Sequence, residues 1–377
     1  MATMMADQRA SEEPVVHTRF EYSLVPNLDL VRSFAVISVL MDHTLLAIGV
    51  TRVGPFQIQY LGTLGVMLFF VLTTLVLMWS LERKPHSLDF YIRRFFRIYP
   101  LAIAAMLIAV LFHAPTGGVR AEQYFAFARP HLKDLLLQGS LMTDIFFSPR
   151  PALAVMWSLP YEVHMYLLLP ILFYFVRRNF SLWPLMMLWV LDLLYARHVP
   201  SDSHNFAVAI GYFLPGVMAY VGFGRWKPVL PSWMLPVLLL CLSAVCLARF
   251  NFHNGWYFCL IAGLTLPLFR QIKARPVVEI SRQIAKYSYG IYLTHPFALV
   301  IGWYLLRGFS LPVRVLGEVV PLIVLPVVAY HGLEHPMIRL GSRLADWAEE
   351  KYDQREMSHV GSRLPGFRKT SPRESVV

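Results

Sequence analysis

Long apolar runs recur along the chain, separated by short polar, basic or proline-marked stretches. A run of about 17–25 mostly apolar residues is long enough to cross a bilayer as a helix. The pattern predicts ten spans, at about 28–49, 61–81, 98–113, 157–176, 182–196, 206–223, 232–249, 255–269, 288–306 and 319–338. Those at 98–113, 182–196 and 255–269 are short for the purpose. The predicted fold is an all-α, polytopic membrane helix bundle of about ten transmembrane helices. An even count puts both termini on one side. With that side inside, 24 of the 34 Lys and Arg fall on inner segments and nine on the outer side. This asymmetry predicts cytoplasmic termini. The chain thus divides into a cytoplasmic tail over 1–27, an integral-membrane domain over 28–340 and a charged cytoplasmic tail over 341–377. In that last tail RLADWAEEKY predicts a surface helix, and 357–377 reads as disordered. The longest outer connection, about 114–156, contains PTGG, an amphipathic piece from His131 to Met142, and Pro149 and Pro151. Its length suits a functional cover better than a simple link. No internal repeat of the inverted-transporter kind is visible.

Composition sharpens the class. The chain is 56% hydrophobic and only 15% charged, with mean hydropathy +0.51, against about 25% charged in soluble domains. The net charge of +11 reads as cytoplasmic loop charge, so nucleic acid is not an expected partner and membrane lipid is. Residues 1–19 contain no apolar core of a cleaved signal, which leaves the first helix as an uncleaved anchor. Cys241, Cys246 and Cys259 sit in apolar runs without ligand spacing, so they read as small hydrophobes.

Charges inside apolar runs change the picture most. The first span, LDLVRSFAVISVLMDHTLLAIG, carries Asp29, Arg32, Asp42 and His43. An ionisable group in hydrocarbon costs at least ~2.5 kcal/mol and marks a functional interior. Arg32 and His43 fall within ~20° of one another on the helix and ~16 Å apart along it. The second span carries Gly62, Gly65, Thr73 and Thr74, which permit close helix approach. After it comes ERKPHSLDFYIRRFFRIYP. Arg94 and Arg97 share a helix face there, as do Arg93 and Arg97. The stretch suits either a topology-setting basic flank or a guanidinium clamp for phosphate, with Phe90, Tyr91, Phe95, Phe96 and Tyr99 as interfacial anchors. The fourth span opens MWSLPYEVHMYLLLPIL, with Glu162 and His164 just inside the outer face. The ninth opens YSYGIYLTHP and places His295 a turn or two in. The tenth ends YHGLEHPMIRL. His331 and His335 have an i,i+4 spacing, but Glu334 is not placed as in a zinc-protease motif, so no metal site is expected. Asp192 and Glu318 read as solvated charges near span ends.

Six stretches taken together resemble acyltransferase family 3, integral-membrane acyltransferases of the type that O-acetylate polysaccharides. They are LDLVRSFAV with MDH, GTLGVMLFFVL, FYIRRFFRIYP, MWSLPYEVHMYLLLPIL, YSYGIYLTHP and GLEHP, in the family's order over about residues 28 to 340. Matched position by position, Arg32 is the first-helix arginine and His43 the histidine closing that helix. Arg94 and Arg97 are the RxxR pair, Glu162 the glutamate of WSLxxE and Glu334 the glutamate of GLEHP. Leu30 and Ser33 stand where the family usually has glycine, and Thr73, Thr74 and Leu75 replace its SGF. These departures bear on packing and acceptor access. No SGNH-type domain follows the tenth span in this sequence.

The resemblance implies an O-acetyltransferase of the bacterial inner membrane. It would use acetyl-CoA or another acyl-CoA as donor substrate, a glycan such as exopolysaccharide as acceptor, and no tightly bound cofactor. A homo-oligomer is compatible with it. His43 would serve as general base or acyl carrier, and Glu162 near the acceptor would orient the hydroxyl or pair with His43. Arg32, Arg94, Arg97 and Glu334 would form the substrate-binding set. Two other classes fit the buried charges. One is a transporter or flippase of a lipid-linked sugar, with His43 and Glu162 as a proton relay. The other is a membrane scaffold without chemistry.

Overall fold

The computed structural model describes residues 26–115, 125, 130–146, 152–199, 206–249 and 255–363, without the side chains of 179 and 352–363. The chain is helical nearly throughout, as the apolar runs predict. α1 (Pro26–Ala47) leads through a short hairpin, β1 (Arg52–Val53) and β2 (Phe56–Gln57), into α2 (Gln59–Arg83) and α3 (Ser87–Leu111). Then come α4 (Leu132–Gly139), α5 (Leu159–Asn179), α6 (Leu182–Ala196), α7 (Phe206–Arg225), α8 (Met234–Arg249) and α9 (Gly255–Thr265). α10 (Arg275–Leu299), α11 (Leu311–Ala329) and α12 (His335–Arg363) complete the order. Among the described residues, six helical stretches are long and apolar enough to cross a membrane. They are α1, α2, α3, 154–178, α7 and the run 311–351, while α6, α8 and α9 are apolar but shorter.

α2 is the axis of the bundle, packed on α1, α5, α7, α8 and α9. Its small residues set the spacing, as the sequence predicts. A methyl group at Gly65 would strike the Ala35 carbonyl, and one at Gly62 would strike the Asp42 carboxylate. Thr74 donates its hydroxyl to the Phe213 carbonyl at 2.8 Å, tying α2 to α7. α10 packs on α1 and α11, and α12 packs on α3.

Three boundaries differ from the sequence reading in ways that move the site. The basic stretch before 98 is already helical: α3 begins at Ser87. Phe90, Ile98, Leu101, Ala105 and Ala109 keep a core-facing stripe through it, and Phe90, expected as an anchor, is buried against Tyr166. Asp89 in the first turn suits the positive helix end and accepts from Arg93 Nε at 2.8 Å. α10 starts at Arg275, well before 288, so His295 lies five turns in rather than one or two. The HGLEH stretch is not a regular α-turn. Tyr330–Glu334 forms a π-helical turn, as Val300–Leu305 does after α10. Each follows a proline by about one turn, Pro296 and Pro326, where an amide donor is missing.

The amphipathic piece after His131 is α4, and it is pinned inward. The Gln138 amide donates to the Leu153 carbonyl and accepts from the Ala152 N–H, both at 2.8 Å. Tyr99 on α3 donates to the Ser140 carbonyl. Of PTGG only Pro115 is described, and it is buried; Thr116, Gly117, Gly118, Pro149 and Pro151 lie outside the described residues. Asp192 and Glu318 are buried, not solvated. Glu318 accepts from Thr44 at 2.5 Å and from Trp303 Nε1 at 2.6 Å. The surface helix read from RLADWAEEKY is present as part of α12, which continues through Arg363, past the point where order was expected to end. Lys84 meets its Asp346 at 3.0 Å and Glu349 at 3.2 Å, and Arg93 meets Asp346 at 2.7 Å. The Asp346 hydrogen bond holds the Lys84 ammonium above its ordinary range.

Candidate active site

A cavity of about 370 Å³ opens between α1, α2, α3, α5, α10 and α12. Arg32 reaches it from α1, Arg94 and Arg97 from α3, Glu162 and Tyr166 from α5, and Tyr289 and Tyr292 from α10. The i,i+3 spacing of Arg94 and Arg97 puts both on the inward face. Arg93, the other neighbour of Arg97 in the sequence reading, turns away to Asp89 and Asp346. Thr73 of α2 and Ser158, just before α5, line the same space.

The arginines differ in company. Arg97 pairs with Glu334, which the π-helical turn presents fully buried, and its guanidinium lies 5.8 Å from the centre of the Tyr289 ring. Tyr289 is itself held by donating to the Ile98 carbonyl at 2.7 Å. Tyr166 donates to Glu162 at 2.8 Å. Arg94 Nε is buried with no hydrogen-bond partner among the described residues. Three guanidinium groups thus outnumber two carboxylates around a space with low-dielectric walls. An anion with several acceptor oxygens would satisfy that imbalance.

A second cluster adjoins the cavity. His43 Nδ1 lies 3.1 Å from His295 Nε2, with the rings 5.0 Å apart and steeply inclined. Asp42, buried, holds its carboxylate 3.9 Å from His43 Nε2. Tyr292 touches both regions: it lines the cavity, and its ring centre is 6.2 Å from that of His295. Its hydroxyl donates to the Val155 carbonyl and accepts from Ser158 Oγ at 2.8 Å. The turn before α5 is thereby fastened to α10.

The structure therefore gathers Arg32, Arg94, Arg97 and Glu162 at one cavity, pairs Glu334 with Arg97, and sets His43 nearby through His295 and Tyr292. Glu162 stands among the arginines. His164 pairs instead with Asp144 at 2.8 Å. His331 meets Tyr287, and His335 stacks on Tyr330. Sequence reasoning missed Tyr166, Tyr289, Tyr292 and Ser158. A signal was available for part of this: Ser288, Tyr292 and His295 recur four and three residues apart, on one helix face.

Spanning-length helices around a cationic cavity, with a histidine pair beside it, define an all-α membrane protein with a polar site in its bundle. The chain belongs to the acyltransferase-3 family, whose acyltransferase domain it matches over residues 25–331. It is similar to the acyltransferase MdmB of Streptomyces mycarofaciens, 30% identical over 41% of this chain and 40% of that protein. It is also similar to the peptidoglycan O-acetyltransferase OatA of Listeria monocytogenes, 26% identical over 74% of this chain and 50% of that one. Nodulation protein 10 of Rhizobium leguminosarum bv. viciae is 24% identical over 74% of this chain and 84% of its own length. The chain spans half or less of the first two relatives. No solved structure matches it.

Proposed function

We propose that the protein is a membrane-bound O-acetyltransferase. It moves an acetyl group from cytoplasmic acetyl-CoA to a hydroxyl of an extracytoplasmic or lipid-linked polysaccharide. The observation that carries this reading is the excess of guanidinium groups at one cavity, with Arg94 Nε buried and without a hydrogen-bond partner among the described residues. Coenzyme A presents phosphate oxygens at one end and a thioester at the other, and a phosphate accepts a guanidinium fork with two hydrogen bonds. The acetyl group and a glycan acceptor are supported by kinship with a peptidoglycan O-acetyltransferase.

In this reading the phosphates sit with Arg32, Arg94 and Arg97, and Glu162 and Glu334 hold those cations in place. The acceptor O–H gives its proton to the His43 imidazole. The oxygen bonds to the thioester carbonyl carbon, the C–S bond breaks, and the departing sulfur takes the proton from the imidazolium. Helix rise puts Arg32 ~9 Å and His43 ~25 Å from Pro26, so binding belongs near the inner face and chemistry past the midplane of a ~30 Å core. Ten spans, cytoplasmic termini and a bacterial inner membrane complete the proposal.

Purified protein in detergent, given acetyl-CoA labelled in the acetyl group and a glycan acceptor, tests it directly. Label should enter the acceptor, and His43→Ala should cut the rate at least ~100-fold while CoA still binds. Sugar crossing a liposome without any need for acetyl-CoA would favour the flippase instead.

A further inference from the structure

Two hydrogen bonds of the histidine pair fix the arrangement of its protons. His295 Nδ1 lies 3.1 Å from the Ile291 carbonyl, one turn back along α10. A carbonyl can only accept, so His295 Nδ1 must carry the hydrogen. In the neutral ring its Nε2 then has the lone pair. That Nε2 faces His43 Nδ1 at 3.1 Å, so His43 must donate from Nδ1, and its own lone pair is left on Nε2. The Asp42 carboxylate stands 3.9 Å from Nε2, beyond hydrogen-bond reach. His295 is itself 1% exposed and enclosed by the bundle, so its orientation is set by packing as well as by the Ile291 bond.

We infer that His295 is the positioning residue of this site: it holds His43 as the Nδ1–H tautomer and makes Nε2 the nitrogen that accepts a proton or an acyl group. The inference rests on the acyltransfer reading for its catalytic consequence but not for the tautomer. A free imidazole side chain prefers the opposite form, with hydrogen on Nε2. A neighbour that enforces the minor form therefore supplies reactivity the residue lacks alone, as an orienting partner does for a catalytic histidine elsewhere.

Two measurements on the full chain in detergent micelles test this. The first is nitrogen-15 NMR of ring-labelled histidine, with His43 assigned by its loss in His43→Gln. Wild type should show His43 with hydrogen on Nδ1 and a bare-type Nε2 shift, and His295→Leu should move it toward the Nε2–H form. Hydrogen on His43 Nε2 in the wild type would overturn the assignment. The second is kinetic. His295→Leu should lower kcat about 100-fold with KM for acetyl-CoA changed less than about twofold. His295→Gln, whose amide oxygen can accept from His43, should recover about a tenth or more of the rate. A leucine variant with wild-type kcat, or a glutamine variant no better than a leucine variant that binds CoA normally, would also overturn it. If the wild type transferred no acyl group from any acyl-CoA, the functional reading would fall, while the NMR result would still decide the tautomer.

Discussion

Arg94 and Arg97 lie one turn apart on α3 yet do different work. Arg97 already has Glu334 and the Tyr289 ring, whereas Arg94 Nε has no hydrogen-bond partner among the described residues. A bound phosphate therefore adds most at Arg94. Arg94→Ala should weaken CoA binding about tenfold or more, and Arg94→Lys should restore only part of it, because a point charge cannot form the two-pronged bond. Calorimetric titration of CoA onto the three proteins checks this, and an unchanged affinity in Arg94→Ala would remove the residue from the donor site. These positions were legible in the sequence because a charge in or beside an apolar run needs a reason. The burial of Asp192 and Glu318 was not legible. The partners of Glu318, Thr44 and Trp303, come from α1 and the π-helical turn after α10, and no local pattern announces contacts of that range.

At the level of elements, hydropathy located the apolar helices and misjudged those that are polar at one end. The first half of α10 and the first three turns of α3 carry charges, so an apolar-run criterion starts them late. Their helicity continues because a stripe of buried residues continues: Ser281, Ala285 and Ser288 in α10, Phe90 and Ile98 in α3. The small-residue reading of α2 was sound, since it asks only how near two backbones come. It also yields a prediction. Gly65→Val must push against the Ala35 carbonyl and the Val39 side chain, and overpacking of this kind costs about 1–3 kcal/mol. Thermal unfolding in detergent should show a lowered midpoint. An unchanged midpoint would mean that α1 and α2 can part without loss.

For the whole molecule, the sidedness proposed for donor and acceptor can be read chemically. Thr51, exposed in the turn between α1 and the hairpin, and Ser87, exposed at the start of α3, lie beyond opposite ends of α2. With the three native cysteines replaced, Thr51→Cys should react with an impermeant thiol reagent on intact cells, and Ser87→Cys only after permeabilisation. The same side for both would end the two-sided scheme without touching the family assignment.

In the proposed two-sided scheme, the tie from Tyr292 to Ser158 and Val155 would also matter for the cell's energy supply. An enzyme that receives one substrate from each face of a coupling membrane holds a wet chamber partway through the insulating layer. If that chamber were continuous with the opposite face, protons would run down the electrochemical gradient. The tyrosine lines the cationic cavity and neighbours His295, and in the proposed two-sided scheme it would serve as a plug in the idle protein. Proteoliposomes containing Tyr292→Ala should lose an imposed pH difference faster than wild type, followed with an entrapped pH-sensitive dye. Equal decay would place the insulation elsewhere along the bundle.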